Sequence, residues 1–427
     1  MNRVRLIAAL PVLAAAALSI ACSHNIVPTT MIPSPIVMRD ERLDFARIVL
    51  PESRTTEVSV LFATTRAPAP PETSEHFTRS AGDAVRLGVA QVQLGERVWS
   101  FDELAKSDRT STPEEPRPAR VVAVKEFGIV DASGSEAERE FIAAIDRQLA
   151  TSSSGSVVIY VPGYRTTFNQ VMVLMGSWGH FLGRHSPVIA FSWPTGTSTW
   201  NYFVDCPRAR AFIPDIARLI ALVAERSKAR RLNLVGFSCG SPLLAKALVE
   251  LREAHRDEDH EALQRRFRIA NAIFVAADID LQTFARSQVP ALTDIARRTE
   301  VYVSENDGAL QFSAMLARAS RLGTPNFDEL TREDLETLAS NERLIGVDVT
   351  GVYGAHELTG MRGHGYWMAN QRVSSDVLLS LVYPFDPAWR GLVHGPGRGM
   401  WTFPDDYPKR VGDAVYQTVP EVRQKGQ

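Results

Sequence analysis

The sequence contains little cysteine and no marked surplus of charge. It has three cysteines in 427 residues, and no two of them have the C-x-x-C spacing typical of a metal site. Its net charge is −2, and no basic block or stripe stands out, which argues against a protein that binds nucleic acid. Internal repeats and low-complexity tracts are also lacking. The composition, 45% hydrophobic and 22% charged residues, is sufficient for a sizeable core in one large or two ordinary domains.

Apolar runs long enough to cross a membrane are also lacking, and the apolar run at the N-terminus resembles a signal peptide. Two arginines precede an apolar stretch over residues 6–21, which ends at Cys22. The stretch is too short and too poorly flanked for a spanning helix and is typical of a signal peptide. Its end, "LSIAC", resembles the bacterial lipobox, in which the cysteine is lipidated and becomes the mature N-terminus. The alternative is an ordinary secretory signal cleaved near Ala21. We therefore predict a membrane-anchored lipoprotein that faces the periplasm, and Ser23 favours the outer membrane over the inner.

The rest of the chain divides into a tether and one domain. Residues 22–50 begin Pro-rich and lack steady periodicity, which predicts a lipidated N-terminus and tether. The domain then covers residues 51–427, with a core over about 156–395. Its first elements are predicted to be strands over 56–66 and 84–95, a loop over 111–120, and a helix over 135–150 that is capped by Ser135.

A regular alternation of strands and helices follows. Apolar runs predict strands over 156–163, 186–193, 232–238, 269–278, 299–307 and 344–352. Because these runs are almost continuously apolar, the strands should be buried on both faces. Alternation with helices predicts a mostly parallel sheet with helices on both faces. The charged stretch over 325–344 is predicted to be a solvated surface element; a lid over a site is the alternative.

The segment "LNLVGFSCGSPLL" changes from strand to helix at Ser238. Gly236 and Gly240 flank this serine, and small residues are needed there because strand and helix cross closely. Pro242 falls in the first turn of the helix, where a missing N–H costs little. This arrangement predicts a nucleophile elbow, on which Ser238 is raised above the strand end beside the N–H groups of the helix.

A serine needs a base to become a nucleophile, and the base needs an acid to orient it. In hydrolases with such an elbow the chain order is Ser, acid, His, and the acid usually follows the second strand after the elbow. That position is Asp307. Asp278 and Asp280, which follow the preceding strand, are the alternatives.

Three histidines come after this acid. His364 lies in "GMRGHGYW", a glycine-flanked loop after the last predicted strand, where the base is expected. His356 lies closer to that strand and His394 lies in the tail, and both are predicted to be surface histidines.

The oxyanion hole requires two backbone donors. We expect one to be the N–H of Cys239, directly after the nucleophile, and the other to be the N–H of Tyr164, beside Gly163 in "IYVPGYRTTF". A disulfide between Cys206 and Cys239 can form in an oxidising compartment. It would constrain the residue beside Ser238, so we expect these two cysteines to be unpaired.

With these residues identified, the chain resembles a bacterial α/β-hydrolase family of unknown function within the esterase/lipase superfamily enzymes. The resemblance covers roughly residues 56–395. It rests on "VLFATTR", "VVIYVPGYRTTF", "VIAFSWPTG", "LNLVGFSCG", "FVAADIDLQTF", "VYVSENDGALQFS" and "GHGYW", in this order. The family usually has histidine where this chain has Pro162 and Phe237, and methionine where it has Cys239; none of these changes removes a member of the Ser-Asp-His set.

The resemblance implies an α/β-hydrolase fold and a serine hydrolase with Ser238 as nucleophile, Asp307 as acid and His364 as base. No cofactor and no metal is expected. The expected substrate is a small-molecule or lipid ester, and the protein is expected to be a monomer or a weak oligomer, attached to the membrane by its lipid. Two alternatives remain: a weakly active or inactive binding or scaffold module, and a thioesterase or amidase, whose chemistry the same residues would serve.

Overall fold

The computed structural model describes residues 30–130, 134–152, 154–196, 202–352, 363–395 and 399–424. The predicted signal peptide, Cys22 and His356 lie outside the described residues. None of the helices within them has the length and apolar character needed to cross a membrane.

A single eleven-stranded sheet runs through the described part of the chain. The strands are β1 Glu57–Pro68, β2 Phe77–Leu94, β3 Ala119–Ile129, β4 Ser156–Val161, β5 Val188–Ser192, β6 Arg231–Phe237, β7 Ile269–Val275, β8 Arg298–Val303, β9 Leu344–Asp348, β10 Val393–His394 and β11 Trp401–Thr402. Their order across the sheet is β10-β11-β9-β8-β7-β6-β4-β5-β1-β2-β3. Neighbours from β1 through β5, β4, β6, β7, β8 and β9 to β11 are parallel. The pairs β1–β2, β2–β3 and β10–β11 are antiparallel.

Helices cover both faces of this sheet. They are α1 Phe101–Thr110, α2 Glu136–Ala150, α3 Phe168–Phe181, α4 Tyr202–Arg208, α5 Ile213–Arg226, α6 Gly240–Ala254, α7 His260–Phe267, α8 Leu281–Thr283, α9 Val289–Ile295, α10 Gly308–Ala317, α11 Arg332–Ala339, α12 Tyr366–Ala369, α13 Gln371–Val382 and α14 Tyr407–Thr418. Helices α3, α13 and α14 contribute to one hydrophobic cluster, and α2, α5, α6 and α9 contribute to a second. The predicted mostly parallel sheet with helices on both faces is confirmed.

The period of two along a strand divides its side chains between these clusters. In β6, Leu232 and Leu234 belong to the cluster with α5 and α6, whereas Val235 and Phe237 belong to the cluster with α3 and α13. Each face is therefore covered by apolar helices, which explains why these strands are almost continuously apolar. Strand β3 was not predicted. Its side chains are all exposed or only partly buried, as the edge of a sheet permits, and its single apolar run, residues 121–124, is short.

The prediction of a tether over residues 22–50 is wrong for residues 30–50. Met31, Ile32 and Val37 are each at most 2% exposed, and the 3₁₀ helix Ile36–Arg39 packs against α1, α13 and α14. Polar contacts reinforce the packing: the hydroxyl of Ser34 donates to the carboxylate of Asp108 at 3.0 Å. The prolines in this segment prevent regular helix, but the apolar residues between them fill a groove on the domain.

Candidate active site

Ser238 stands on a strained turn between β6 and α6. Its φ of 52° lies in the left-handed region, which costs energy for a residue with a side chain and recurs at functional sites. Two hydrogen bonds hold it there: the N–H of Ser238 donates to Val275 O at 3.0 Å, and the N–H of Ser241 donates to Ser238 O at 3.0 Å. The backbone thus fixes the serine at the end of a central strand.

The flanking glycines are required by close approach of the backbone. A Cβ on Gly240 would lie 2.4 Å from the carbonyl oxygens of Val161 and Pro162. One on Gly236 would lie 2.9 Å from the Cα of Ser241. Both distances are well below van der Waals contact, so the turn can form only with glycine at these positions.

The structure brings Ser238, His364 and Asp307 together. The imidazole Nε2 of His364 lies 2.7 Å from Ser238 Oγ, and its Nδ1 lies 2.9 and 2.7 Å from the two carboxylate oxygens of Asp307. Because an ionised carboxylate only accepts hydrogen bonds, Nδ1 carries the proton and Nε2 accepts from the serine hydroxyl. The three residues are 5%, 2% and 0% exposed, respectively, so water competes little for these contacts.

The acid and the imidazole are each held by their surroundings. Asp307 is the N-cap of α10, and its Oδ1 accepts from Leu310 N at 3.0 Å. The ring of Phe237 lies 5.2 Å from the imidazole of His364. In addition, the hydroxyl of Tyr366 accepts from Ala276 N at 2.9 Å and donates to Tyr302 O at 2.8 Å. The segment that carries the histidine is thereby attached to the ends of β7 and β8.

The alternative acids have other partners. The carboxylate of Asp278 accepts from Ser313 Oγ at 2.8 Å and from the hydroxyl of Tyr202, and it forms an ion pair with Arg321 at 3.1 Å. Burial raises the pKa of Asp278, and Arg321 counteracts this. Asp280 caps α8 by accepting from Thr283 N at 2.7 Å. Among the described residues, neither aspartate forms a hydrogen bond or an ion pair with His364.

The remaining histidine alternative, His394, is exposed in β10 and packs against Trp401, with 3.9 Å between the ring centroids and an angle of 30° between the ring planes. This exposure agrees with the prediction that His394 is a surface histidine.

The loop after β4 lies directly against the serine. A Cβ built on Gly163 would come within 3.0 Å of Ser238 Cβ, and the carbonyl of Pro162 accepts from Trp193 Nε1 at 2.8 Å. Tyr164 and Cys239, the predicted oxyanion donors, are 6% and 1% exposed. The loop and the first turn of α6 therefore border the same space beside the hydroxyl.

The expectation that Cys206 and Cys239 are unpaired is wrong, because the structure joins them in a disulfide. Helix α4 carries Cys206 to the N-terminus of α6, a long-range approach that the sequence pattern does not reveal. The bridge constrains the side chain of Cys239, whereas the expected role of this residue needs only its backbone N–H.

A cavity of about 280 Å³ adjoins the disulfide. Its lining includes Tyr202, Cys206, Cys239, Leu243, Asp278 and Leu316. Among the described residues, no group of three or more His, Cys, Asp and Glu side chains could hold a metal ion.

The stretch 325–344 packs against the segment that follows β7. Arg286 donates to the carboxylate of Asp334 at 2.9 and 2.8 Å, which fastens α11 to the π-helical turn Phe284–Gln288. These contacts are those of a surface element, and the alternative of a lid stays a prediction.

A serine on a strained elbow, hydrogen-bonded to a buried His-Asp pair at the carboxyl edge of a mostly parallel sheet, places the protein in the α/β-hydrolase class. The family model described as alpha/beta hydrolase of unknown function (DUF900) matches residues 137–380. The chain belongs to this family and is a hydrolase.

Among solved structures, the chain is similar to that of a protein provisionally described as a cell surface hydrolase from Lactobacillus plantarum WCFS1. The identity is 11%, the TM-score is 0.27, and the match covers 47% of this chain and 84% of that one. No curated protein matches the sequence.

Proposed function

We propose that the protein is a serine hydrolase that cleaves carboxylic esters through an acyl-enzyme on Ser238. The observation that carries the proposal is the continuous hydrogen-bonded path from Ser238 Oγ through His364 to Asp307, with the serine held at a positive φ of 52°. A serine with a purely structural role needs neither the strained turn nor a histidine that is oriented by a buried acid.

In the first half of the reaction, Ser238 Oγ attacks the ester carbonyl while His364 Nε2 accepts the hydroxyl proton. Asp307 holds the imidazole in the required tautomer and stabilises the imidazolium that forms. The negative charge moves to the carbonyl oxygen, where the N–H groups of Tyr164 and Cys239 are the proposed donors. His364 then gives its proton to the leaving alkoxide, and an alcohol departs.

In the second half, water takes the place of the alcohol. His364 accepts a proton from the water, whose oxygen attacks the acyl carbonyl. The proton returns to Ser238 Oγ as the carboxylic acid is released, so the enzyme regains its starting state. No step requires a cofactor or a metal ion.

The location is proposed from the sequence together with the disulfide. A lipid on Cys22 would attach the protein to the membrane, with the domain in the periplasm and the outer membrane preferred. The bridge between Cys206 and Cys239 supports this proposal, because disulfides persist in the periplasm and are rare in the cytosol. Loss of labelled palmitate and of membrane association in Cys22→Ala is the expected outcome; a wild-type protein that takes up no palmitate would overturn the anchor.

Labelling by a fluorophosphonate probe tests the nucleophile directly. Wild-type protein should be labelled, and Ser238→Ala should not. Ser241→Ala is the matched control, because Ser241 Oγ is buried in the first turn of α6 and has no hydrogen-bond partner among the described residues. Labelling that persists in Ser238→Ala would exclude this serine as the nucleophile.

A substrate panel then assigns the bond. Acyl esters of short and long chain, with the matching thioesters and amides, should be compared on wild-type and Ser238→Ala protein. Preferential cleavage of esters by the wild type supports the proposal; preference for a thioester or an amide would change the bond but keep the mechanism. A protein that neither reacts with the probe nor cleaves any of these compounds would be a binding module instead.

A further inference from the structure

Three arginines lie in or beside the loop that follows β4; we call Arg66, Arg79 and Arg165 the arginine cluster. Arg66 lies at the end of β1 and donates to Thr166 O at 2.7 Å. Arg79 lies near the start of β2 and donates to Gly196 O at 3.2 Å. Burial lowers the pKa of Arg66 to about 9, and the charge of Arg79 contributes to the shift. Burial also lowers the pKa of Arg79, and Arg165 contributes there. Arg79 therefore lies within electrostatic range of both Arg66 and Arg165.

The charge of this cluster is incompletely balanced. Glu75 is the carboxylate that favours the charged forms of Arg66 and Arg79, and Asp205 lies near Tyr164. Both carboxylates accept from neutral backbone donors: Glu75 from Asn169 N at 3.4 Å and Asp205 from Gly196 N at 2.8 Å. In the described part of the chain, neither forms an ion pair with an arginine of the cluster. The three arginines thus have two carboxylates near them, and both carboxylates accept hydrogen bonds from backbone N–H groups rather than from these arginines.

The members of the cluster differ in how well their guanidinium groups are satisfied. Arg66 is fully buried and donates to Ser192 Oγ at 2.8 Å, Thr78 O at 3.2 Å and Thr166 O at 2.7 Å, which is a structural role. Arg165 is only partly buried, yet its Nε and Nη1 are inaccessible to solvent and have no hydrogen-bond partner among the described residues. Leaving such donors unpaired is costly.

The backbone of Arg165 is strained as well. Its φ is 63°, a conformation that a residue with a side chain adopts only when the surroundings impose it. It stands two residues after Gly163, whose built Cβ comes within 3.0 Å of Ser238 Cβ. With 3.8 Å between consecutive Cα atoms, its Cα lies no more than about 8 Å from that of Gly163. Arg165 therefore stands in the loop that borders the serine, with its backbone close enough for a long side chain to reach a substrate bound there.

We propose that Arg165, supported by the positive field of Arg66 and Arg79, binds an anionic group of the substrate, so that the enzyme prefers esters that carry a carboxylate or a phosphate. This inference rests on the proposed ester hydrolysis at Ser238. A planar guanidinium with free N–H groups binds either anion in a bidentate manner. Because Nε and Nη1 are inaccessible to solvent in the structure, the guanidinium would turn toward the substrate as the anion binds. The anionic group would then satisfy the unpaired donors and offset the repulsion on Arg79.

The first test is a comparison of matched esters. 4-Nitrophenyl hemiglutarate is compared with the neutral 4-nitrophenyl pentanoate, and 1-acylglycerol 3-phosphate with the corresponding monoacylglycerol; these arms separate a carboxylate from a phosphate. In the wild type, kcat/KM should favour the anionic member of one pair by about 10- to 100-fold, the range of one charged hydrogen-bonded contact. In Arg165→Gln this ratio should fall to near unity, and Arg165→Lys should restore it only in part.

Arg332→Gln is the control for a change of charge. Its side chain is 91% exposed in α11, outside the cluster, and the variant should keep the wild-type ratio. Equal ratios in the wild type and in Arg165→Gln would overturn the proposal, even if all the esters were cleaved.

The second test does not depend on turnover. Calorimetry measures binding of glutarate and of glycerol 3-phosphate to the wild type, Arg165→Gln and Arg332→Gln. Binding of one anion that is lost only in Arg165→Gln supports the site; no binding, or equal binding by all three proteins, overturns it. If anion binding depends on Arg165 but no ester is cleaved and no fluorophosphonate reacts, the anion site stands and the proposed hydrolysis fails.

Discussion

Two buried aspartate–histidine pairs in the described part of the chain look alike. His180 Nε2 lies 2.7 Å from the carboxylate of Asp108, and His364 Nδ1 lies 2.7 Å from that of Asp307. All four side chains are at most 11% exposed. The pairs differ in what contacts the second imidazole nitrogen.

In the first pair the surroundings are cationic. The Nδ1 of His180 accepts from Arg184 Nη2 at 3.2 Å, and Asp108 also forms an ion pair with Arg117. In the second pair, the free nitrogen of the imidazole meets the hydroxyl of Ser238 at 2.7 Å. A buried Asp-His pair is therefore not sufficient to define an active site. In the first pair the second imidazole nitrogen contacts an arginine and not a hydroxyl, and the pair fastens the N-terminal segment and α1 to α3.

The largest difference between the pairs should appear in Ser238→Ala. We expect kcat for ester hydrolysis to fall by about 10⁶-fold, to the level that binding and oxyanion contacts sustain without a nucleophile. The elbow is shaped by Gly236 and Gly240, so loss of one oxygen should leave the thermal midpoint nearly unchanged. Hydrolysis at the wild-type rate would refute the proposed mechanism.

The next effect concerns the acid of the second pair. Asp307→Asn should lower kcat by about 10⁴-fold, because the imidazole loses the tautomer that accepts the serine proton. Asp278→Asn should lower it much less, since the carboxylate of Asp278 is occupied by Ser313 and Arg321. Steady-state kinetics of both variants measures the two losses. A larger loss of kcat in Asp278→Asn than in Asp307→Asn would identify Asp278 as the acid.

The corresponding change in the first pair should act on stability. Asp108→Asn leaves Arg117 and His180 without their buried anion, and breaking such a pair typically costs about 3–5 kcal/mol of unfolding free energy. Urea denaturation measures this loss, while kcat of the folded protein at saturating substrate should stay within about threefold of the wild type, because the pair touches no member of the Ser238 site. A drop in kcat comparable to that of Asp307→Asn would contradict a purely stabilising role of the first pair.

The smallest expected effect is a pH dependence of stability that arises from the first pair. Burial lowers the pKa of His180, helped by Arg184 and Arg117, although Asp108 opposes the shift. Below about pH 6.5 the histidine of the unfolded chain binds a proton that the folded one does not. The contribution of His180 to the free energy of unfolding is therefore present above that pH. It is lost as the pH falls toward and through the pKa of this histidine in the folded protein.

Asp108 adds a second step at lower pH. Burial would raise the pKa of its carboxyl, but His180 and Arg117 outweigh burial and lower it. Its contribution is present above about pH 4 and disappears as the pH falls further. Urea denaturation of the wild type and His180→Gln between pH 7.5 and 5 tests the histidine step: the difference in unfolding free energy should shrink on acidification. A constant difference would contradict it.

The sequence predicted the features that depend on short segments. Ser238 and Asp307 each follow a buried strand, and the alternation of strands and helices indicates that such strand ends share one edge of the sheet. Their approach to His364 in the structure follows from that arrangement. The roles of these residues stay predictions until the variants are measured.

Features that depend on tertiary contacts were not predictable from the sequence. The disulfide between Cys206 and Cys239 depends on where α4 docks. The packing of residues 30–50 depends on a groove formed by α1 and α13, which are distant in the sequence. The arginine cluster unites positions 66, 79 and 165. That it lacks compensating ion pairs from the described residues can be recognised only when its neighbours are known.

The packed N-terminal segment determines how far the enzyme can extend from a membrane. With a lipid on Cys22, as proposed, only eight residue steps separate the anchor from Thr30, where the described structure begins. Fully extended, they span about 28 Å, whereas a free tether to residue 50 would reach more than three times as far. The hydrolase would then act as a surface-confined catalyst: its encounters would be restricted to a thin layer above its own leaflet, and its rate would follow the two-dimensional density of substrate there rather than the bulk concentration.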